Sequence, residues 1–340
     1  MPRPSVCIVT PALADANNGN WQTARRWAQM LRGHYRVALT DRWQGEAADV
    51  LVALHARRSA ASIERWSRER PQAPLVVVLT GTDLYRDIQI DASAQRSLDL
   101  ADRLVVLHER AVADLPVQHR AKAVACLQST TARVPLAKSS RHLRAVMVGH
   151  LRDEKAPRTY FEAARRLAHR RDILLDHIGD ALDPVLGAEA RELQRARANY
   201  RWLGALPHAA TRRRIQGADV LVHTSRIEGG AHVVMEAIRS GTPVLATRIA
   251  GNVGMLGADY AGYVEPGDAD GLASLIERCR DEPAILDALR AQCEARAPLF
   301  EPARERATCG AVAASGHGSH ILVASFSPVV THPTRRIYVL

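Results

Sequence analysis

The residues best suited to chemistry lie between positions 223 and 243. The run reads His223, Thr224, Ser225, Arg226, Ile227, Glu228, Gly229, Gly230, Ala231, His232, Val233, Val234, Met235, Glu236, with Gly241, Thr242 and Pro243 beyond it. Glu228 and Glu236 stand eight positions apart; glycines follow the first, and a helical pattern leads into the second. A strand that ends in a glycine-rich turn and opens a helix exposes backbone N–H groups and the positive end of a dipole, which suits a phosphate or a sugar. On residue types alone the pair is equally compatible with a solvated acid at a helix start and an ordinary surface glutamate.

The overall charge points the same way. Lys and Arg total 46 against 36 Asp and Glu, a formal +10, and the only lysines are Lys122, Lys138 and Lys155. Such a guanidinium-rich excess favours anionic partners, with nucleic acid, acidic lipid and phosphorylated metabolites as the classes to separate. With three Phe and no basic run flanked by aromatics, nucleic acid is the least favoured. The five cysteines are scattered and never spaced as CxxC, so neither a disulfide frame nor a zinc site is expected, and they read as small buried hydrophobes. No apolar run approaches the ~20 residues of a membrane span, so the expectation is a cytoplasmic chain without stable membrane association.

These residues need elements to hold them. At 340 residues the chain is about twice the ~150-residue domain mode, so two lobes are expected. Apolar runs of strand length recur at 6–9, 37–39, 50–54, 75–79, 104–107 and 124–127, alternating with helix-period segments such as Ala24, Trp27, Met30 and Leu31. A polar stretch over 129–141 then reads as a linker. A second alternating series follows at 143–148, 173–178, 220–223 and 244–246, and its last clear helix carries Leu272, Leu275, Ile276 and Cys279 on one face. The pattern predicts an α/β protein with two doubly wound parallel sheets: a domain over 1–135, a second over 136–306, and a poorly packed tail over 307–340 to which no function is assigned. Ligands of such folds bind at the carboxyl ends of the strands, so the cleft between the lobes is the expected site.

In that setting the motifs form a pattern. The Glu-x7-Glu frame, the following Gly241, Thr242 and Pro243, and the upstream Val148 and Gly149 with Glu154 and Lys155 together resemble the donor-binding half of the family 4 glycosyltransferases of the GT-B fold. A strand ending at Thr10, an Asn17-Asn18-Gly19-Asn20 turn opening a helix, and Gly33-His34-Tyr35-Arg36-Val37 resemble that family's acceptor side, and the similarity covers about residues 5–306. More narrowly, the stretch from Leu79 through Thr80, Gly81, Thr82 and Asp83 to Ile88, the Leu54-His55-Ala56-Arg57-Arg58 segment and the run from Gly251 to Gly257 resemble the selenosugar synthases of the selenoneine pathway. Three positions depart from the common glycosyltransferase pattern: His150 where an Arg is usual, Thr80 where a His is frequent, and Gly254-Met255 where a glycine-rich loop normally ends in Glu.

The resemblance implies transfer of a sugar from a UDP-sugar, UDP-N-acetylglucosamine being the first choice, to selenophosphate, with formation of a C–Se bond and with no cofactor or metal. Lys155 is then the cation on the donor's β-phosphate and Arg152 the second one. Glu228 faces the sugar, Gly229 and Gly230 let the backbone approach the donor, Glu236 takes the ribose hydroxyls, and Gly149 and His150 line the same side. For the acceptor, His55 and Arg57 are favoured over Arg58, Arg25 and Arg86, with Gly19 and Asn20 offering backbone N–H groups and Thr82 and Asp83 completing the site. Selenium is a strong nucleophile that needs little general-base help, so Asp83 and His108 are read as positioning groups, not as a committed base, and either is equally compatible with a satisfied buried polar residue. Two alternatives stay open, a hydroxyl acceptor and a non-catalytic nucleotide-sugar-binding scaffold.

Overall fold

The computed structural model describes residues 3–11, 13 and 19–314. Among them the first six strands, β1 (Ser5–Val9), β2 (Arg36–Thr40), β3 (Val50–Leu54), β4 (Leu75–Val78), β5 (Arg103–Val106) and β6 (Ala123–Ala125), form one parallel sheet in the order β2-β1-β3-β4-β5-β6. The next six, β7 (Leu143–Val148), β8 (Ile173–Ile178), β9 (Tyr200–Trp202), β10 (Val220–His223), β11 (Val244–Thr247) and β12 (Tyr263–Val264), form a second in the order β12-β11-β10-β7-β8-β9. The central strands β3 and β4 are apolar throughout because helices cover both faces; every residue of Val50–Leu54 is buried. The edge strands β9 and β12 lie outside the sequence pattern, being only three and two residues long and carried by pairing with their neighbours.

Strand order decides where a ligand can sit. Strand addition reverses direction between β1 and β3 in the first sheet and between β7 and β10 in the second. The segments leaving those strands diverge to opposite faces and open a crevice at the carboxyl ends. His55 follows β3, Gly149 follows β7, and Thr224 to Glu228 follow β10, so the candidate residues sit at the two switch points.

The expected unstructured tail is corrected in part. Residues 302–314 form a helix, Pro302–Ala314, whose Cys309, Val312 and Ala313 join Trp27, Ala28 and Leu31 in a core of the first lobe. Its small residues carry no strong amphipathic stripe, which is why periodicity does not register it. What anchors it is Glu305, fully buried, which accepts from Arg26 Nε at 2.7 Å, Trp27 Nε1 at 2.8 Å, Ser129 N at 2.7 Å and Ser129 Oγ at 2.6 Å. One carboxylate thus ties the last helix to the first helix, Gly19–Leu31, and to the start of the linker. Residues 315–340 of the expected tail lie outside the described residues, as do Asn17 and Asn18. All five cysteines are buried and free. No helix among the described residues is long and apolar enough to cross a membrane.

Candidate active site

In the second lobe, β7 ends in Gly149, and the chain turns through Asp153–Lys155 and a left-handed Ala156 (φ 45°) into the helix Pro157–Arg166. Gly149 meets Gly179, where a Cβ would strike the Gly149 carbonyl, so two strand ends come together by backbone contact alone. The turn aims Lys155 at Glu228: Nζ pairs with Oε1, Ser225 Oγ donates to the same oxygen at 2.9 Å, and His223 Nε2 lies 3.5 Å from it. Thr224 Oγ1 donates to the Lys155 carbonyl at 2.8 Å, which fixes the lysine's backbone to the end of β10. Burial pushes the Glu228 carboxyl up, but Lys155 and His223 outweigh it and hold the group well below the usual carboxylate range.

Glu236, on the helix His232–Ile238, is buried and accepts from His208 Nε2 at 2.6 Å, with Arg212 Nε 4.0 Å away. Its carboxylate therefore already has an imidazole partner from another helix. His150 turns aside, its Nδ1 accepting from Asp180 N at 3.0 Å, and burial followed by the charge of Arg152 lowers its pKa.

The first lobe is built differently. His55 is buried in a left-handed conformation (φ 73°), rare for a residue with a Cβ and characteristic of functional loops. Its Nε2 lies 3.2 Å from Thr82 Oγ1, and burial, only partly offset by Asp83, pushes its pKa down. Asp83 begins a π-helical turn, Asp83–Asp87, the kind of distortion that concentrates at functional sites. Asp83, expected beside the acceptor as a positioning group, is fully buried and accepts from Ala56 N at 3.0 Å, Thr80 N at 2.8 Å and Thr80 Oγ1 at 2.9 Å. It braces two loops and offers no free oxygen to the cleft. His108 is likewise satisfied. Tyr85 OH donates to Asp114 at 3.1 Å, so at 2.9 Å it accepts from His108 Nε2–H, leaving Nδ1 to accept from Ala111 N at 3.1 Å. Burial lowers the His108 pKa to about 4.

The lobes meet closely. A Cβ on Gly229 would strike the Thr80 carbonyl, and one on Gly81 would come 2.8 Å from Gly229 N, so only glycine at both positions allows this approach. Thr23 Oγ1 donates to Gly19 O at 2.9 Å, accepts from Gln128 Nε2, and lies 3.3 Å from His232 Nε2. A hydroxyl has one proton, so His232 must be the donor to Thr23 and carries its lone pair on Nδ1. Burial, reinforced by Arg26, keeps that imidazole well below its ordinary pKa.

Of the expected residues, the fold brings Lys155, Glu228, Gly229 and Gly230 together with Gly81 and Leu107 of the first lobe. Arg57 and Arg152 line the opposing rims, each roughly two-fifths exposed. Gly19 and Asn20 open the first helix as expected. His223, Ser225, His208, Thr23, Gln128 and His232 carry no assigned role on sequence. The first two were legible inside the His223-to-Glu228 run, whereas His208 reaches Glu236 across 28 residues and a separate helix.

Two facing six-stranded parallel sheets with a closing C-terminal helix define a GT-B protein. Sucrose-phosphate synthase from Thermosynechococcus elongatus superposes with a TM-score of 0.74 at 16% identity, over 92% of this chain and 98% of that one. HepE of Anabaena in complex with UDP gives 0.71 at 14%, over 92% and 100%. TarM of S. aureus in complex with UDP gives 0.64 at 12%, over 79% of this chain and 55% of that one, so the chain spans about half of TarM and the whole of HepE. At these identities the likenesses speak to fold alone. Residues 128–299, just over half of the chain, match the family model of glycosyl transferases group 1, and the chain belongs to that family. Comparison with curated proteins gives no match.

Proposed function

We propose that this glycosyltransferase binds a UDP-sugar mainly on the second lobe and transfers the sugar to selenophosphate held mainly by the first. The observation that carries the donor half is Lys155, paired at the second switch point with Glu228, whose same oxygen accepts from Ser225. A diphosphate entering there competes with Glu228 for the ammonium. Lys155 then stabilises the charge that grows on UDP as the C1–O bond breaks, the part a metal plays elsewhere. The UDP bound to HepE and TarM supports the choice of nucleotide. Selenium's lone pair forms the bond to C1, the C1–O pair leaves with UDP, and subsequent hydrolysis of the Se–P bond gives the selenosugar and phosphate.

The acceptor half is supported by charge. At the first switch point the first lobe sets Arg57, Arg58 and Arg86 against Asp83 and Asp87, an excess that suits a multiply charged anion better than a sugar hydroxyl. The close approach of Gly81 to Gly229 brings the two lobes together beside Glu228, and closure of this kind would limit hydrolysis of the donor by water. The test is incubation of the purified chain with UDP-N-acetylglucosamine and selenophosphate, with chelator present, followed by mass spectrometry. A selenium-containing sugar that appears with UDP and is lost in Lys155→Ala and Glu236→Ala is the expected result. UDP binding without a selenium product defeats the acceptor assignment, and turnover with an alcohol instead identifies a hydroxyl acceptor.

A further inference from the structure

Arg86, counted above only as part of the first lobe's charge, makes an ion pair across the cleft with Glu154, which has no part in the proposed transfer. Asp87 is buried and takes the Nε of two guanidiniums, Arg57 at 2.7 Å and Arg86 at 3.0 Å. Each arginine thus spends its inner nitrogen on one shared carboxylate and keeps its outer NH2 edge for the cleft, with 38% of the Arg57 and 39% of the Arg86 side chain exposed. Asp87 is the one carboxylate the two guanidiniums share; Asp91 also faces Arg57, and the remaining partner of Arg86 comes from the other lobe. A guanidinium edge is shaped to grip a tetrahedral oxyanion with paired hydrogen bonds.

The second lobe supplies the group that now faces that site. Glu154 Oε1 lies 3.4 Å from Arg86 NH1, and its Oε2 lies 4.0 Å from Arg152 Nε. Arg152 Nε is itself buried with no hydrogen-bond partner, a donor left unsatisfied beside a carboxylate that does not reach it. Burial pushes the Glu154 carboxyl up, but its own backbone N–H, Arg152 and Arg86 outweigh this and keep it ionised. It therefore stands between guanidiniums of the two lobes as an anion, at distances longer than a good charge-assisted bond.

We propose that Arg57, Arg86 and Arg152 form a site for a phosphate-type oxyanion, and that Glu154 is the protein's own stand-in for that ligand, displaced when it binds. This deepens the acceptor assignment and rests on it. Arg86 becomes a specificity-determining residue for a charged acceptor, and Glu154 sets the affinity by competition. A neutral sugar hydroxyl cannot displace a carboxylate from two guanidiniums, so the same pair disfavours alcohols.

Calorimetric titration of the full chain with inorganic thiophosphate, and separately with UDP, tests the assignment. Glu154→Gln is expected to bind thiophosphate about 3- to 5-fold more tightly, the scale of a part-exposed ion pair. Arg86→Gln is expected to bind it about 10-fold or more weakly, the scale of a hydrogen bond to a charged group, with Arg86→Lys in between. UDP affinity is expected to stay unchanged in all three, and thermal melts check that each remains folded. Equal or weaker thiophosphate binding by Glu154→Gln overturns the proposal, as does parallel loss of UDP and thiophosphate in Arg86→Gln, which assigns the guanidiniums to the donor's phosphates. Selenosugar formation by the unaltered chain without any gain in Glu154→Gln overturns this inference and leaves the acceptor assignment standing. Binding of UDP but not of thiophosphate by the unaltered chain overturns both this site and the acceptor assignment, while the donor reading survives.

Discussion

The two lobes repeat one plan, a six-stranded parallel sheet with a switch point facing the cleft, and furnish it with different electrostatics. At the ends of β7 and β10 a single lysine is matched by a single carboxylate, and small side chains hold both in register. At the ends of β3 and β4 guanidiniums outnumber carboxylates, and the acids present are buried as braces. On the proposed reading, a common scaffold separates binding tasks by the loop that leaves each strand. The neutral pair suits a ligand whose charge changes during reaction, while the cationic rim suits one that arrives charged.

The comparison can be broken most forcefully at the carboxylate that fastens the closing helix. Glu305→Ala leaves Arg26 and the Trp27 and Ser129 donors without their acceptor, and a loss of about 3–5 kcal/mol in urea unfolding is expected. A loss below about 1 kcal/mol means the C-terminal helix does not hold the first lobe. Next in size, Lys155→Ala should lower kcat about 10²- to 10³-fold, as removal of a transition-state charge contact does. If only KM for the donor rises, the lysine binds ground and transition states alike and the contrast between the lobes loses its catalytic meaning.

A pH titration sharpens what the lobes share. His108 in the first and His177 in the second are each pushed by burial from the ordinary 6.5 to about 4. The unfolded chain takes up these protons at higher pH than the folded one, so stability is full above about 6.5. It falls as pH drops towards about 4, by about 3 kcal/mol per histidine once both are charged. Unfolding midpoints that stay flat across that window would show that neither imidazole is neutral because of burial. The smallest effect is reserved for His208→Ala, which frees Glu236 from its partner and should change donor KM about 2- to 10-fold with kcat nearly constant. An unchanged KM removes Glu236 and His208 from the donor site.

Much of this architecture was legible because burial on both faces favours apolar central strands: the run at 50–54 and the run at 143–148, apolar but for Arg144, announce β3 and β7 without help. The Glu228-to-Glu236 frame was legible for a similar reason, since local spacing along one turn and one helix is written in consecutive residues. The helix Pro302–Ala314 was not, because its stability comes from Glu305 reaching partners 176 and 279 residues away.

What the sequence determined by itself is therefore the local grammar: two alternating series, the glycine-rich turn, and a supply of guanidinium charge with one lysine in the motif. Tertiary structure alone decided the assignments of acids to cations. It turned Asp83 inward to its own loop, gave Asp87 to Arg57 and Arg86, gave Glu236 to His208, and set Glu154 between arginines of different lobes. Charge in a chain is a count, and an ion pair is a distance. Only the strand order, which carries β3, β4, β7 and β10 to a common cleft, turns the first into the second.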